Sequence, residues 1–131
     1  MENSNKRILI IEDDQFLREF YQELLQGEGY LIDVAIDGET GLRKMQQGGY
    51  DLVLLDIMLP KKDGLQILRD LKVNPSKKAN GPVVCLTNLG QETVIKQSFE
   101  LGAAGYLMKS ALDPADVLQE IKNFLQKPPN G

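Results

Sequence analysis

DLVLLDIMLPKKDG, running from Asp51 to Gly64, is the stretch that decides the fold. Leu52, Val53, Leu54 and Leu55 form a continuous apolar run instead of an alternating one, which suits a strand buried on both faces of a parallel sheet. Asp56 stops the run. Pro60 and Gly64 then mark a loop, and Asp63 stands ready to cap the helix announced by Leu65, Leu68 and Leu71. Asp56 is thereby assigned to the carboxyl end of a central strand, where open α/β sheets place their ligand sites.

Around that strand, the chain alternates strand and helix from end to end. Ile8 to Ile11 reads as a strand, and Leu17, Phe20, Tyr21, Leu24 and Leu25 recur at helical spacing until Gly27 and Gly29. Tyr30 to Ala35 is the next strand, and Asp37 caps a short helix with Leu42 and Met45 on its apolar face, ended by Gly48 and Gly49. Beyond the central strand, the third helix stops before Pro75, and the polar segment from Asn74 to Pro82 is a surface loop carrying Lys77 and Lys78 as solvated charges. Val83 to Thr87 forms the fourth strand, a helix follows with Val94, Ile95 and Phe99 expected to face inward, and Gly105 to Met108 is a short fifth strand. Asp113 and Pro114 open the last helix, whose Val117, Leu118, Ile121, Phe124 and Leu125 share one face before Pro128 and Pro129. The expectation is an α/β fold, a flavodoxin-like doubly wound parallel sheet of five strands in the order 2-1-3-4-5 with five helices.

Composition narrows the function. The 131 residues, 42% of them hydrophobic, fit one domain able to bury roughly two-thirds of its surface. Residues 6–127 are assigned to it, with 1–5 an N-terminal tail expected to be disordered and 128–131 a C-terminal tail. A net charge of −4 without any basic block argues against direct nucleic-acid binding. No apolar segment approaches the ~20 residues that span a bilayer and Met1 to Asn5 lacks a signal-peptide core, so a cytoplasmic location without membrane attachment is expected. The single cysteine, Cys85, lies in an apolar run and reads as a core residue. Histidine is absent, which removes histidine-ligated metals and any histidine base. Carboxylates, hydroxyls and lysines are left to do the chemistry.

The assumed strand order brings them together. Strands one and three are neighbours at the topological switch point, so Glu12, Asp13 and Asp14 end beside Asp56. Crowded carboxylates raise one another's pKa values, whereas a hard cation such as Mg²⁺ neutralises them and keeps positions open for phosphate oxygens. Asp14 is read as the cap of the first helix; Glu12, Asp13 and Asp56 are read as a site. The fourth strand closes with Thr87, a hydroxyl donor to an anion, and the fifth with Lys109, a compact cation suited to a phosphoryl group.

Residues ILIIEDD at 8–14, LVLLDIMLPKKDG at 52–64, Leu86-Thr87, and GAAGYLMK at 102–109 together resemble the response regulator receiver domain of two-component signalling, of the stand-alone single-domain type. The resemblance runs from about Lys6 to Lys127. It implies that Asp56 accepts a phosphoryl group from the phosphohistidine of a sensor histidine kinase or phosphotransfer protein. It also implies Mg²⁺ held by Asp13, Asp56 and the Met58 backbone carbonyl, with Glu12 acting through water. Thr87 and Lys109 would bind the phosphoryl oxygens, and Tyr106 would change rotamer as the switch; the competing reading of Tyr106 is an ordinary half-buried strand tyrosine. Such a domain is not an enzyme on other molecules: it catalyses only its own phosphorylation and autodephosphorylation. No helix-turn-helix or catalytic domain follows Lys127 in the sequence, so the expected output is protein–protein recognition of an unknown partner by Glu92 to Leu101, Tyr106 and the last helix.

Three positions depart from the family pattern. Asn88 stands where a small residue is usual; Ser110 replaces the proline that commonly follows the lysine, so a cis bond there is not expected at a cost of about 2.5–4 kcal/mol. Ala103-Ala104-Gly105 lacks the acidic pair of members that dimerise through this region, which points to a monomer or a weak dimer on phosphorylation. The alternatives are the N-terminal receiver of a longer response regulator, a haloacid-dehalogenase-like phosphatase, which would need an aspartate where Met58 stands, and a phosphorylation-independent pseudo-receiver scaffold.

Overall fold

A computed structural model describes residues 6–88 and 90–126. The expected tails at 1–5 and 128–131, and Lys127, lie outside the described residues. Ten elements alternate: β1 (Arg7–Ile11), α1 (Gln15–Gly27), β2 (Leu31–Ala35), α2 (Gly38–Gln47), β3 (Leu52–Asp56), α3 (Gly64–Val73), β4 (Val83–Thr87), α4 (Glu92–Glu100), β5 (Gly105–Met108) and α5 (Pro114–Gln126). The sheet is parallel throughout in the order β2-β1-β3-β4-β5, as the alternation predicts.

The unbroken apolar run of β3 is explained by its two faces. Val53 and Leu55 join Leu9, Ile11 and Cys85 in a core covered by Met45 of α2 and by Ile67 and Leu68 of α3. Leu52 and Leu54 join Ile8, Ile10, Val84 and Leu86 beneath Tyr21 and Leu25 of α1 and Val117 and Ile121 of α5. All five residues of β3 are buried. Burying a Leu, Ile or Val side chain contributes about 1.5–3 kcal/mol, so the helix pairs are held to the sheet chiefly by this strand and its neighbours.

The helix starts are set by side chains. Asp14 accepts from the Leu17 N–H at 3.0 Å, Asp37 from Thr40 at 2.8 Å, and Asp63 forms a reciprocal capping box with Gln66. Each such cap contributes about 1 kcal/mol. Two glycines permit close approaches near the sheet's carboxyl edge. A Cβ on Gly64 would lie 2.9 Å from the Asp56 carbonyl oxygen, and one on Gly38 would lie 1.7 Å from that of Lys62. The α3 start is thus pressed onto the strand end, and α2 onto the β3–α3 loop.

One expectation fails. Phe99 does not face inward: it is 44% exposed, and the buried residue of α4 is Ser98, whose hydroxyl donates to the Ile95 carbonyl at 2.6 Å. The small serine occupies the inward position, and the Phe99 ring goes instead to the flank, edge-on to Tyr106. Among the described residues no peptide is cis, and no helix is long and apolar enough to cross a membrane.

Candidate functional site

Four strand ends converge. β1 pairs with β3 up to Ile11 and Leu55, so the next residues, Glu12 and Asp56, sit side by side. Asp56 is opposite Leu86, and Thr87 is opposite Met108. Backbone bonds carry the ladder past the strands: Glu12 N–H to Ala35 O at 3.1 Å, and Lys109 N–H to Thr87 O at 2.7 Å. Lys109 is thereby anchored next to the buried Thr87.

Glu12, Asp13 and Asp56 each offer a carboxylate oxygen within 4.8 Å of the others, Glu12 and Asp56 buried and Asp13 exposed. The Lys109 ammonium lies 2.8 Å from Asp56 Oδ2 and 3.4 Å from Glu12 Oε1. Each buried carboxylate has one oxygen held by backbone: the Met58 N–H donates to Asp56 Oδ1 and the Asp14 N–H to Glu12 Oε2, both at 3.0 Å. The other two oxygens, Glu12 Oε1 and Asp56 Oδ2, receive no directed hydrogen bond. Buried oxygens left so are costly in a folded chain, and the group that faces both is the Lys109 ammonium.

The charges are accordingly strained. Burial, reinforced by the adjacent Asp56, pushes the Glu12 carboxyl up to about 8, against the opposing Asp14 N–H and Lys109. Burial also raises Asp56, although Lys109 and the Met58 N–H pull the other way. Lys109 would be lowered by burial, but its contacts with Asp56 and Glu12 outweigh that and raise it. Two buried carboxylates face the one ammonium with Asp13 beside them, and all the donors are hard oxygens. That set fits Mg²⁺, which takes oxygen ligands and relieves the crowding.

Of the residues singled out from the sequence, Glu12, Asp13, Asp56 and Lys109 come together, with Met58 tied to Asp56 by its backbone; its side chain is exposed. Thr87 stands at the adjoining strand end, its hydroxyl directed at Met108 Sδ at 3.4 Å, a weak acceptor. Tyr106 lies apart from the acidic cluster, 44% exposed and packed edge-to-face on Phe99 with ring centroids 6.5 Å apart. Asn88 is exposed, its N–H donating to Gln91 Oε1 at 2.7 Å. Sequence reasoning missed Arg18, which donates to the carbonyls of Glu12 and Asp13, and the buried Tyr21, whose hydroxyl has no partner. The signal for Arg18 was its place, one turn into α1 directly behind the acids.

The family model described as the response regulator receiver domain matches residues 8–122. The transcriptional regulatory protein ResD of Bacillus subtilis is 34% identical over 97% of the chain and 51% of its own length. The chemotaxis protein CheY of Treponema pallidum is 37% identical over 92% of the chain and 83% of its own. The chain spans about half the length of the first curated relatives, ResD among them. Among solved structures, the receiver domain of the Pseudomonas aeruginosa sensor histidine kinase PA1611, with a magnesium ion in its active-site cleft, superposes with a TM-score of 0.79 at 21% identity, over 94% of this chain and 99% of that one. At that identity the superposition speaks for the fold.

Proposed function

The chain belongs to the response regulator receiver family, whose members are phosphorylation-activated signalling switches, and from that premise we propose that Asp56 is the phosphoryl acceptor. The observation that carries the reading is the buried Asp56 carboxylate, held at Oδ1 by the Met58 N–H while Oδ2 faces Lys109 without a directed hydrogen bond. A carboxylate oxygen of Asp56 attacks the phosphorus of a phosphohistidine, the P–N bond breaks with its electron pair leaving on the imidazole nitrogen, and an acyl phosphate forms. The residues present suit this transfer, which depends on position and charge neutralisation more than on covalent help.

Asp13, Asp56 and the Met58 carbonyl would hold Mg²⁺, with Glu12 acting through water, and the ion would supply neutralisation of the developing phosphoryl charge. Lys109 follows the negative charge from the carboxylate to the phosphoryl oxygens. The Thr87 hydroxyl exchanges Met108 Sδ for one of those oxygens, and the Tyr106 ring turns into the space so opened. A full switch from about 1:99 to 99:1 needs about 5.5 kcal/mol, more than the 0.5–1.5 kcal/mol of one neutral hydrogen bond, so the Lys109 charge is part of the switch. Water then releases the phosphoryl group, an autodephosphorylation confined to the domain itself.

The donor is a sensor histidine kinase or phosphotransfer protein, met in the cytoplasm, and the output is contact with another protein by a monomer or weak phosphorylated dimer. The test is acetyl-phosphate labelling with the site mapped by mass spectrometry. Wild type is labelled at Asp56 and Asp56→Asn is not; labelling of that variant at full extent, or at Asp13, overturns the assignment.

A further inference from the structure

We propose that Arg18 is a positioning residue for the acidic pair, acting through the peptide that joins Asp13 to Asp14 to fix the direction of the Glu12 carboxylate. Arg18 is half-buried on α1, and its Nη1 donates to two consecutive carbonyls, Glu12 O at 3.1 Å and Asp13 O at 3.2 Å. The peptide carrying the second of these carbonyls also carries the Asp14 N–H, which donates to Glu12 Oε2 at 3.0 Å. In a trans peptide the C=O and N–H point opposite ways, so guanidinium, peptide and carboxylate form one chain of hydrogen bonds. The cation polarises the carbonyl and strengthens the donation at the far end.

The arrangement settles which Glu12 oxygen is committed and which is free. Oε2 is held by the Asp14 N–H, and Oε1 is left toward Lys109 at 3.4 Å. The loop cannot turn independently of α1, because Asp14 also caps Leu17 and accepts the Arg18 N–H at 2.9 Å. Arg18 thus holds the two carbonyls on one side, so that the side chains of Glu12 and Asp13 gather toward Asp56.

Two effects of the guanidinium oppose each other, and their signs can be told apart. As a charge near the cluster it repels Mg²⁺, so removing it alone tightens metal binding. As an orienting group behind the acids it favours binding, and loss of such support typically weakens metal affinity 10–100-fold. The inference rests on the reading of the acidic cluster as a Mg²⁺ site.

The experiment is a Mg²⁺ titration of wild type, Arg18→Gln and Arg18→Lys at fixed ionic strength, followed by the ¹⁵N–¹H resonances of Asp13 and Asp14, with urea midpoints in Mg²⁺-free buffer. Arg18→Gln is expected to raise the Mg²⁺ dissociation constant about tenfold, and Arg18→Lys, which keeps the charge but not the planar two-hydrogen nitrogen, to raise it less. In Mg²⁺-free protein the Asp14 amide proton should move upfield as its bond to Glu12 weakens. An unchanged or lower dissociation constant in Arg18→Gln overturns the proposal, even if the urea midpoint falls, since that pattern belongs to a purely structural or purely electrostatic group. Should Arg18→Gln not fold, Arg18→Lys decides by the same criterion. A wild type that binds no Mg²⁺ sinks the site reading instead, and the Asp14 shift in Mg²⁺-free protein still decides whether Arg18 holds the peptide.

Discussion

The two ends of the sheet treat charge in opposite ways. At the amino edge, the Arg7 N–H donates to Asp51 Oδ2 at 2.7 Å, and its guanidinium donates to Gly49 O and lies 4.6 Å over the Tyr50 ring. The Tyr50 hydroxyl donates to Asp33 Oδ2 and Lys44 to Asp33 Oδ1, both at 2.7 Å, while Asn80 ties Tyr50 N–H to Met45 O. Among the described residues, the buried side-chain polar atoms without a directed hydrogen bond are Glu12 Oε1 and Asp56 Oδ2, which face only the Lys109 ammonium, and Tyr21 Oη, none of them in this network. The contrast extends to the acids: burial would raise Asp33, but Lys44 and Tyr50 outweigh it and hold the carboxyl below its usual value, whereas burial prevails at Asp56 and raises it. One edge is a finished structure; the other is left short of partners, which is where a fold departs from its own packing rules for the sake of chemistry.

The hardest blow to that contrast is Lys109→Ala, which leaves Glu12 and Asp56 buried without their ammonium. Removing one partner from a buried ion pair costs about 3–5 kcal/mol, so urea denaturation at pH 8 without Mg²⁺ should show a loss of that order, with much of it restored by Mg²⁺. A loss below about 1 kcal/mol would mean that the lysine does not hold the acids together.

The pH dependence sharpens the same point. Glu12 is raised from 4.5 to about 8, so between those values the folded chain keeps a proton that the unfolded chain releases. Its effect on stability is therefore neutral below about 4.5 and grows more unfavourable as pH climbs to about 8, by at most about 1.4 kcal/mol per unit. Asp33, being lowered, runs the other way: its stabilisation is present above the ordinary carboxylate range and is lost as pH falls through its folded value. Urea midpoints from pH 5 to 8 should decline in wild type and flatten in Glu12→Gln. Equal slopes in the two proteins would remove Glu12 from the account.

How far these edges could be read beforehand differs as well. The apolar runs of Ile8–Ile11, Leu52–Leu55 and Val83–Leu86 have one comfortable home, a sheet covered on both faces, and the strand order then brings Glu12, Asp56, Thr87 and Lys109 to one end. Choice of partner leaves no such trace. Nothing periodic says that Arg18 reaches back to two carbonyls, that Thr87 turns to a methionine sulfur, or that Ser98 displaces Phe99 from the α4 interior. The amino-edge network joins residues 7, 33, 44, 50 and 80, distant in sequence and individually ordinary.

A smaller effect tests the finished edge. Asp33→Ala strips the acceptor from Lys44 and from the Tyr50 hydroxyl. The Asp33 side chain is 39% exposed, so water replaces part of what is lost, and about 1–2 kcal/mol is expected. Acetyl-phosphate labelling of Asp56 should be unchanged. A slowed labelling rate would tie the two edges together and dissolve the division drawn between them.

The least effect expected concerns the third orphan atom. Tyr21 is fully buried on the α1 side of the sheet, its ring edge-on to Phe20 at 5.4 Å, and burial, with the charges of Glu12 and Asp56 adding, pushes its hydroxyl up to about 12. The phenol is therefore neutral at any working pH and contributes nothing as a charge. An unpaired buried hydroxyl costs about 1–3 kcal/mol, and phenylalanine keeps the ring while removing that cost. Tyr21→Phe should thus stabilise the Mg²⁺-free protein by about 1 kcal/mol in urea denaturation and leave Mg²⁺ affinity untouched. A destabilised variant would mean that the hydroxyl is satisfied, by a buried water for instance, and that it belongs with the finished regions of the molecule. A stabilised variant with altered Mg²⁺ affinity would instead assign the hydroxyl to the acidic site, extending the unfinished edge one layer into the core.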